Sequence, residues 1–240
     1  MRAAFFDLIG GASGNMLFGA FVDAGTNFDE IVKALRTIPV HGWSIVRERT
    51  RRRGVEATYI DVIVPGEDDH HDHADAHRHP PGTRTFAEIM RIFETSQLSQ
   101  AQVTMACTIA QRLARAESHE SGVELERLRF HPVGQIDAIL DIAATSIALA
   151  QLNVEQVFCS AFPIGRKLPG ETAWMLAGKA TRSEDVAAEM VTTTAAAILS
   201  ALVQKPGFRP ELRVELSGYG AGRSDFRMPN VTRVEIGPLA

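Results

Sequence analysis

The stretch Ala3-Ala4-Phe5-Phe6-Asp7-Leu8-Ile9-Gly10-Gly11-Ala12-Ser13-Gly14-Asn15-Met16 decides the fold. Residues 2–9 form a short apolar run stopped by glycine, the pattern of a buried strand. Gly10 to Asn15 is a loop. From Met16 to Ala24 apolar residues recur at helical spacing, and Gly25 ends the run. Strand, glycine loop and helix in direct succession open an α/β layer.

Outward from there the alternation continues. Asn27 and Glu30 are placed as a capping box for a helix reaching about Ile38. Trp43–Arg53 and Val55–Val64 are expected strands around Gly54. Thr85 and Glu88 cap a helix through Glu94, and a longer helix runs from about Ser99 to Ser118. Leu125–Phe130 has a strand pattern. Gly134–Leu152 is helical, with Ile136, Ile139, Leu140 and Ala143 on one stripe. Val157–Ile164 is an expected strand. Thr172–Ala177 and Ala187–Val203 are expected helices. Leu212–Leu216 and Val231–Ile236 are expected strands flanking a glycine-rich turn. The expected fold is α/β, or α+β: a layered mixed sheet with helices and a His-rich surface loop inserted. Residues 1–66 form an N-terminal α/β segment, 67–84 the loop, and 85–240 the remainder, continuous with 1–66 as one domain.

That loop reads Glu67-Asp68-Asp69-His70-His71-Asp72-His73-Ala74-Asp75-Ala76-His77-Arg78-His79 and holds five of the eight histidines. Lacking any large apolar residue, it cannot pack into a core. Imidazole and carboxylate ligate borderline divalent ions, so His70, His71, His73, His77 and His79 are candidate metal ligands. The other reading is a plain solvated loop.

A formal net charge of −4 gives no global support for nucleic-acid binding. The five arginines between Arg47 and Arg53 read as a solvated strand or hairpin. Cys107 and Cys159 lie far apart and read as core residues rather than a disulfide. No apolar run approaches the ~20 residues of a membrane span, and Asp7 with the glycines after it interrupts any leader-peptide core. The expected location is the cytoplasm.

Three constellations carry chemistry. In the first, Gly10, Gly11, Ser13, Gly14 and Asn15 lie between a strand and a helix. Backbone N–H groups there converge on an anion, helped by the helix dipole. Asp7 ends the strand beside them. A tight strand-to-helix turn explains the same residues equally well. In the second, His131 precedes Asp137 and Asp141, which are four apart and project from one helical face. Like charges at that spacing cost a few tenths of a kcal/mol unless a cation relieves them. Together they form an N/O donor set for a divalent ion, though acids also favour a helix's first turn for its dipole alone. In the third, alternating glycines from Gly218 to Gly222 precede Arg223, a candidate phosphate grip; a glycine-rich hairpin connection is the plainer reading.

These segments together resemble the LarC nickel-insertion proteins of nickel-pincer cofactor biosynthesis. Their N-terminal pattern appears here as Phe5-Phe6-Asp7 through Gly11-Ala12-Ser13-Gly14-Asn15-Met16. Their mid-chain His-rich insertion matches the run from His70, followed by Ser96-Gln97-Leu98. Phe130-His131-Pro132-Val133-Gly134 with Asp137, Ile139, Asp141 and Ile142 matches a third motif. Gly218-Tyr219-Gly220-Ala221-Gly222 with Pro229-Asn230 and Arg233-Val234 matches the fourth. Asn15 stands where the family has an acid, Pro132 where it has glutamate, and Thr192-Thr193-Thr194-Ala195 where it has Thr-Pro-Thr-Gly. Ile164 to Glu171 is shorter than in the family, and a usual His-Gly pair is missing. The pattern is that of a divergent, short member.

The resemblance implies nickel insertion into a pyridinium mononucleotide carrying two thiocarboxylates, a lyase-type reaction. It implies Asp7, His131 and Asp137 as catalytic candidates. Gly10, Gly11, Ser13, Gly14, Asn15 and Arg223 are phosphate-binding candidates, and His131, Asp137 and Asp141 nickel-holding ones. Full family members hydrolyse CTP, in association with a further C-terminal region that these 240 residues do not contain. A separate CTP-binding chain is therefore an expected partner, whereas nucleic acid and membrane are not; the oligomeric state stays open. Two alternatives stand beside this: a non-catalytic nickel-binding accessory or store, and a phosphate- or nucleotide-binding module.

Overall fold

A computed structural model describes residues 1–65, 84–130 and 136–240. In chain order the elements are β1 (Arg2–Asp7), α1 (Gly14–Asp23), α2 (Phe28–Leu35), β2 (Ser44–Arg52), β3 (Val55–Ile63), β4 (Arg84–Thr85), α3 (Phe86–Glu94) and α4 (Gln100–Ser121). They continue as β5 (Arg129–Phe130), α5 (Ile136–Gln151), β6 (Gln156–Cys159), β7 (Phe162–Ile164), α6 (Gly170–Leu176), β8 (Thr181–Ser183), α7 (Thr193–Leu202), β9 (Leu216–Ala221) and β10 (Val231–Pro238). The fold is α/β, built on a mixed six-stranded sheet in the order β2-β3-β9-β10-β1-β6.

Pairing fixes the geometry of the sheet. β1 is parallel to β6, and β3 to β9; β10 is antiparallel to both β1 and β9. It follows that β1, β3, β6 and β9 all point one way. Their carboxyl ends, Asp7, Ile63, Cys159 and Ala221, share one edge. Ligands of open α/β sheets bind at that edge.

Helix α1 lies directly on the sheet. Phe21 meets Phe6 of β1 edge-to-face at 5.3 Å. A Cβ on Gly220 of β9 would come within 1.8 Å of the Met16 carbonyl oxygen. A helix can approach a strand this closely only where the strand carries no side chain. Helix α5 packs against α1 and α2, and α4 packs against α5, α6 and α7. A large cluster of buried apolar residues, from Ala4 to Ile236, fills the space between, and a small second one holds Ala57, Ala221 and Val231.

Strand alternation assigns the faces. Phe6 touches α1, so Asp7 projects from the opposite face. The register pairs Asp7 with Arg233, Phe5 with Glu235 and Arg233 with Tyr219, all on that opposite face.

The helix starts follow local chemistry. Thr85 with Glu88 and Ser99 with Gln102 form reciprocal capping boxes. Asn27 accepts a hydrogen bond from the Glu30 N–H. The β2–β3 hairpin turns on Arg53 and Gly54, both at positive φ, 47° and 87°. Its arginines are engaged: Arg47 and Arg52 lie over the rings of Phe28 and Tyr59. Arg49 pairs with Asp23, Arg51 with Glu56, and Arg53 with Asp225. Cys107 and Cys159 are both free thiols, the second buried, and burial pushes its pKa up to about 12.

Five expectations change. Residues 218–221 are strand, not turn, with glycines where α1 lies against the backbone. Of Leu212–Leu216, only Leu216 is strand. Val157–Ile164 breaks into β6 and β7, which belong to different sheets. The break is at Ser160, whose N–H donates to Phe6 O and whose Oγ accepts from Leu8 N–H. The helix expected from Ala187 begins only at Thr193. Val186 O and Met190 O are instead taken laterally by the N–H groups of Arg166 and Ala12. Of Leu125–Phe130, only Arg129 and Phe130 are strand.

Candidate functional site

The loop leaving β1 meets partners at almost every peptide group. The Arg182 guanidinium donates to Leu8 O at 2.7 Å and Ile9 O at 2.9 Å. Gly10 N–H donates to Val231 O at 3.0 Å, and Thr232 Oγ1 donates to Gly11 O at 2.6 Å. Ala12 N–H donates to Met190 O at 2.8 Å, and Ala12 O accepts from Thr192 N–H at 2.9 Å. Gly11 adopts φ 134°, a conformation L side chains rarely take, with the Met190 carbonyl 2.2 Å from where its Cβ would lie.

The loop delivers the start of α1 to the carboxyl edge of the sheet. Ser13, the N-cap, gives its hydroxyl to Asn15 Oδ1 and not to the helix backbone. The first-turn N–H groups of α1 therefore lack a side-chain cap, and the positive end of the helix dipole faces this edge. Asn15 Nδ2 donates to Ile60 O at 3.0 Å, tying α1 to β3 just before Asp61.

Asp141 stands against this helix start. A Cβ on Gly14 would fall 2.2 Å from its Oδ2. Asp141 is 9% exposed, and among the described residues its Oδ1 has no hydrogen-bond partner. Burial pushes its pKa well above the ordinary 3.8, and the neighbouring charges of Asp137 and Asp61 push it further the same way. Asp137, one helical turn earlier, accepts from the Ala138 N–H at 2.8 Å.

Arg223, just past β9, donates to Asp61 Oδ2 at 2.8 Å and lies 3.4 Å from the Tyr59 hydroxyl. Burial raises the Tyr59 pKa; Arg223 opposes the rise and Asp61 adds to it. Asn230 Nδ2 holds the Ser224 carbonyl at 2.7 Å and so shapes the segment between β9 and β10.

The edge thus gathers Gly10, Gly11, Ser13, Gly14 and Asn15 with Asp137 and Asp141, and it brings Val231 of the C-terminal motif against Gly10. Asp7 ends β1 at the same edge but projects from the other face of the sheet. It is bonded there to Arg233 at 3.0 Å. His131 and the run His70, His71, His73, His77 and His79 lie outside the described residues. Among the described residues, no group of three His, Cys, Asp or Glu side chains is arranged to hold one ion. Three contributors escaped the sequence reading: Asp61, Arg182 and Thr232. Asp61 showed only the alternation of its strand. The other two act through hydrogen bonds to carbonyls distant in sequence.

A model of the family described as nickel insertion protein matches residues 4–238. The chain belongs to the nickel insertion protein family. It is 33% identical over its whole length to a pyridinium-3,5-bisthiocarboxylic acid mononucleotide nickel insertion protein of Desulfitobacterium hafniense. Proteins of that same name from Geobacillus kaustophilus and Thermotoga sp. are 32% and 36% identical over 99% of the chain. The chain spans 59%, 60% and 61% of these three relatives' lengths. No solved structure matches it. Among the described residues, no helix is long and apolar enough to cross a membrane.

Proposed function

We propose that this chain inserts nickel into the pyridinium-3,5-bisthiocarboxylic acid mononucleotide, with the ion as cargo and the mononucleotide as the second substrate. The observation that carries the placement is Asp141: a buried carboxylate with one oxygen that has no partner among the described residues, and two further aspartates raising its proton affinity. Such a group is costly in an apoprotein unless it is protonated or a cation relieves it. Asp137 and Asp141 offer the incoming ion oxygen donors on one helical face, with His131 in reach by sequence as a nitrogen donor. The two thiocarboxylate sulfurs of the substrate complete a soft set that holds the metal in the product.

The start of α1, with Ser13, Gly14 and Asn15, takes the substrate phosphate, where unpaired N–H groups and the dipole favour negative charge. As the metal–carbon bond forms, the ring C–H bond breaks and its proton must leave. We assign Asp141, in its ionised form, as the acceptor. Asp7, neutralised by Arg233 on the far face, plays no part in this step. Arg223 is held by Asp61 and is available to the substrate only by leaving it. The family resemblance brings CTP to the reaction.

The test is an assay of the full-length protein with precursor, nickel and CTP, read by the absorbance and mass of the nickel-containing product. Asp141→Asn should abolish product while keeping the wild-type circular-dichroism spectrum. An Asp141→Asn protein with wild-type yield sinks the placement. A wild-type protein yielding nothing, with or without a CTP-binding partner chain, sinks the activity itself.

A further inference from the structure

Arg182 belongs to β8, which pairs with β7 in a two-stranded ribbon outside the main sheet. From there its guanidinium reaches three carbonyls at once. It donates to Leu8 O at 2.7 Å, Ile9 O at 2.9 Å and Ala161 O at 3.0 Å, while Nε donates to Glu184 at 2.9 Å. Two of those carbonyls are consecutive residues of the loop leaving β1; the third lies in the turn between β6 and β7. The rigid planar fork of arginine makes this possible, and a lysine ammonium has no equivalent geometry. The side chain is 33% exposed and its charge is already matched by Glu184, so it is not a free cation awaiting a ligand. Apart from the bond to Glu184, its hydrogen bonds run to backbone carbonyls of the loop and of the β6–β7 turn.

The residues that follow act in the same sense. Met190 O receives Ala12 N–H, and Thr192 N–H reaches back to Ala12 O. The segment from Ala161 to Thr192 therefore braces the Gly10–Gly14 loop, in addition to Val231 and Thr232 of β10. A plain strand-to-helix turn needs no such brace. A loop that must present N–H groups to a phosphate within a fraction of an ångström does.

We propose that Arg182 is a positioning residue: by fixing the Leu8, Ile9 and Ala161 carbonyls it sets the loop that carries Ser13, Gly14 and Asn15 to the substrate phosphate. This rests on the reading of the site given above. The phosphate is a handle remote from the ring chemistry, so a loosened loop weakens ground state and transition state alike. KM for the mononucleotide should then rise while kcat holds.

The experiment compares wild type, Arg182→Ala and Arg182→Lys in the full-length protein, with KM and kcat for the precursor mononucleotide and a melting curve for each. Arg182→Ala should raise KM about tenfold or more with kcat within about threefold. Millimolar guanidinium should bring KM back toward wild type. Arg182→Lys should fall between, and it keeps the test alive if the alanine variant does not fold. A folded Arg182→Lys or Arg182→Ala with wild-type KM overturns the positioning role while leaving the functional reading intact. Loss of kcat at unchanged KM, unrescued by guanidinium, also overturns it. A wild-type protein that neither binds nor converts the mononucleotide removes the functional reading and this inference together.

Discussion

On the sheet face away from α1, Asp7 and Glu235 each meet an arginine, Arg233 at 3.0 Å and Arg209 at 2.5 Å. On the face covered by α1 and α5, Asp141 meets none among the described residues, and its buried Oδ1 has no partner among them. The two faces carry carboxylates of the same chemistry from motifs of the same family pattern. On the far face, charges are neutralised within the fold. Burial opposes the charge of Arg233, but Glu235, Tyr219 and Asp7 together hold its pKa above its ordinary value. On the near face burial and the neighbouring aspartates disfavour the charged form of Asp141, and among the described residues no cation offsets this.

The largest expected effect breaks the comparison by lifting α1 off the sheet. Gly220→Val puts a branched side chain where even a Cβ would lie 1.8 Å from the Met16 carbonyl oxygen. Backbone on both sides cannot yield cheaply, so the loss should be about 4 kcal/mol or more in urea denaturation. A variant of near wild-type stability would mean that α1 does not sit as described. Next is Gly14→Ala, whose methyl meets the Asp141 carboxylate at 2.2 Å. A loss of about 2–3 kcal/mol is expected. Adding Asp141→Ala opens room for that methyl, so the double variant should be less destabilised than the sum by about 1 kcal/mol or more. Strict additivity would show that the two residues do not touch.

The pH dependence sharpens the contrast. A carboxyl whose folded pKa is raised binds its proton more tightly in the native state than in the unfolded chain. Its favourable contribution is therefore full below the ordinary carboxyl value of 3.8 and is lost as pH rises through the raised folded value. Asp141→Asn removes this slope. At pH 7 it should be more stable than wild type by about 1–2 kcal/mol, while losing nickel insertion. Denaturation curves at a series of pH values give the answer, and an Asp141→Asn protein less stable than wild type at pH 7 would contradict an unbalanced Asp141.

Much of the layered fold was legible because local signals agreed with it. The glycine stop after Ile9, the Thr85–Glu88 box and the Arg53–Gly54 turn each act within a few residues. The glycines at 218 and 220 misled because their reason is α1, some two hundred residues earlier in the chain. The helix expected from Ala187 failed likewise, since Val186 and Met190 spend their carbonyls on Arg166 and Ala12. For the candidate site, the spacing of Asp137 and Asp141 was readable, and so was the glycine loop. That Asp7 faces away from them was not, because a strand's faces are assigned only when its neighbours are known. Arg182 and Asp61 were not singled out for the same reason: both matter through partners distant in sequence, at Leu8, Ile9 and Arg223.

The smallest effect tests the far face. Asp7→Asn leaves Arg233 one carboxylate, Glu235 at 3.4 Å. Both members of the broken pair are partly solvated, at 29% and 27% exposure, so screening keeps the pair weak. A loss of about 0.5–1 kcal/mol is expected, shrinking further in high salt. Nickel insertion should hold, because the residue projects away from Gly14 and Asp141. The same substitution chemistry thus gives opposite signs on the two faces: aspartate to asparagine weakens the fold slightly at position 7 and strengthens it at 141, while only the second removes activity. An inactive Asp7→Asn protein of wild-type stability would return Asp7 to the site and show that the face away from α1 takes part in the reaction after all.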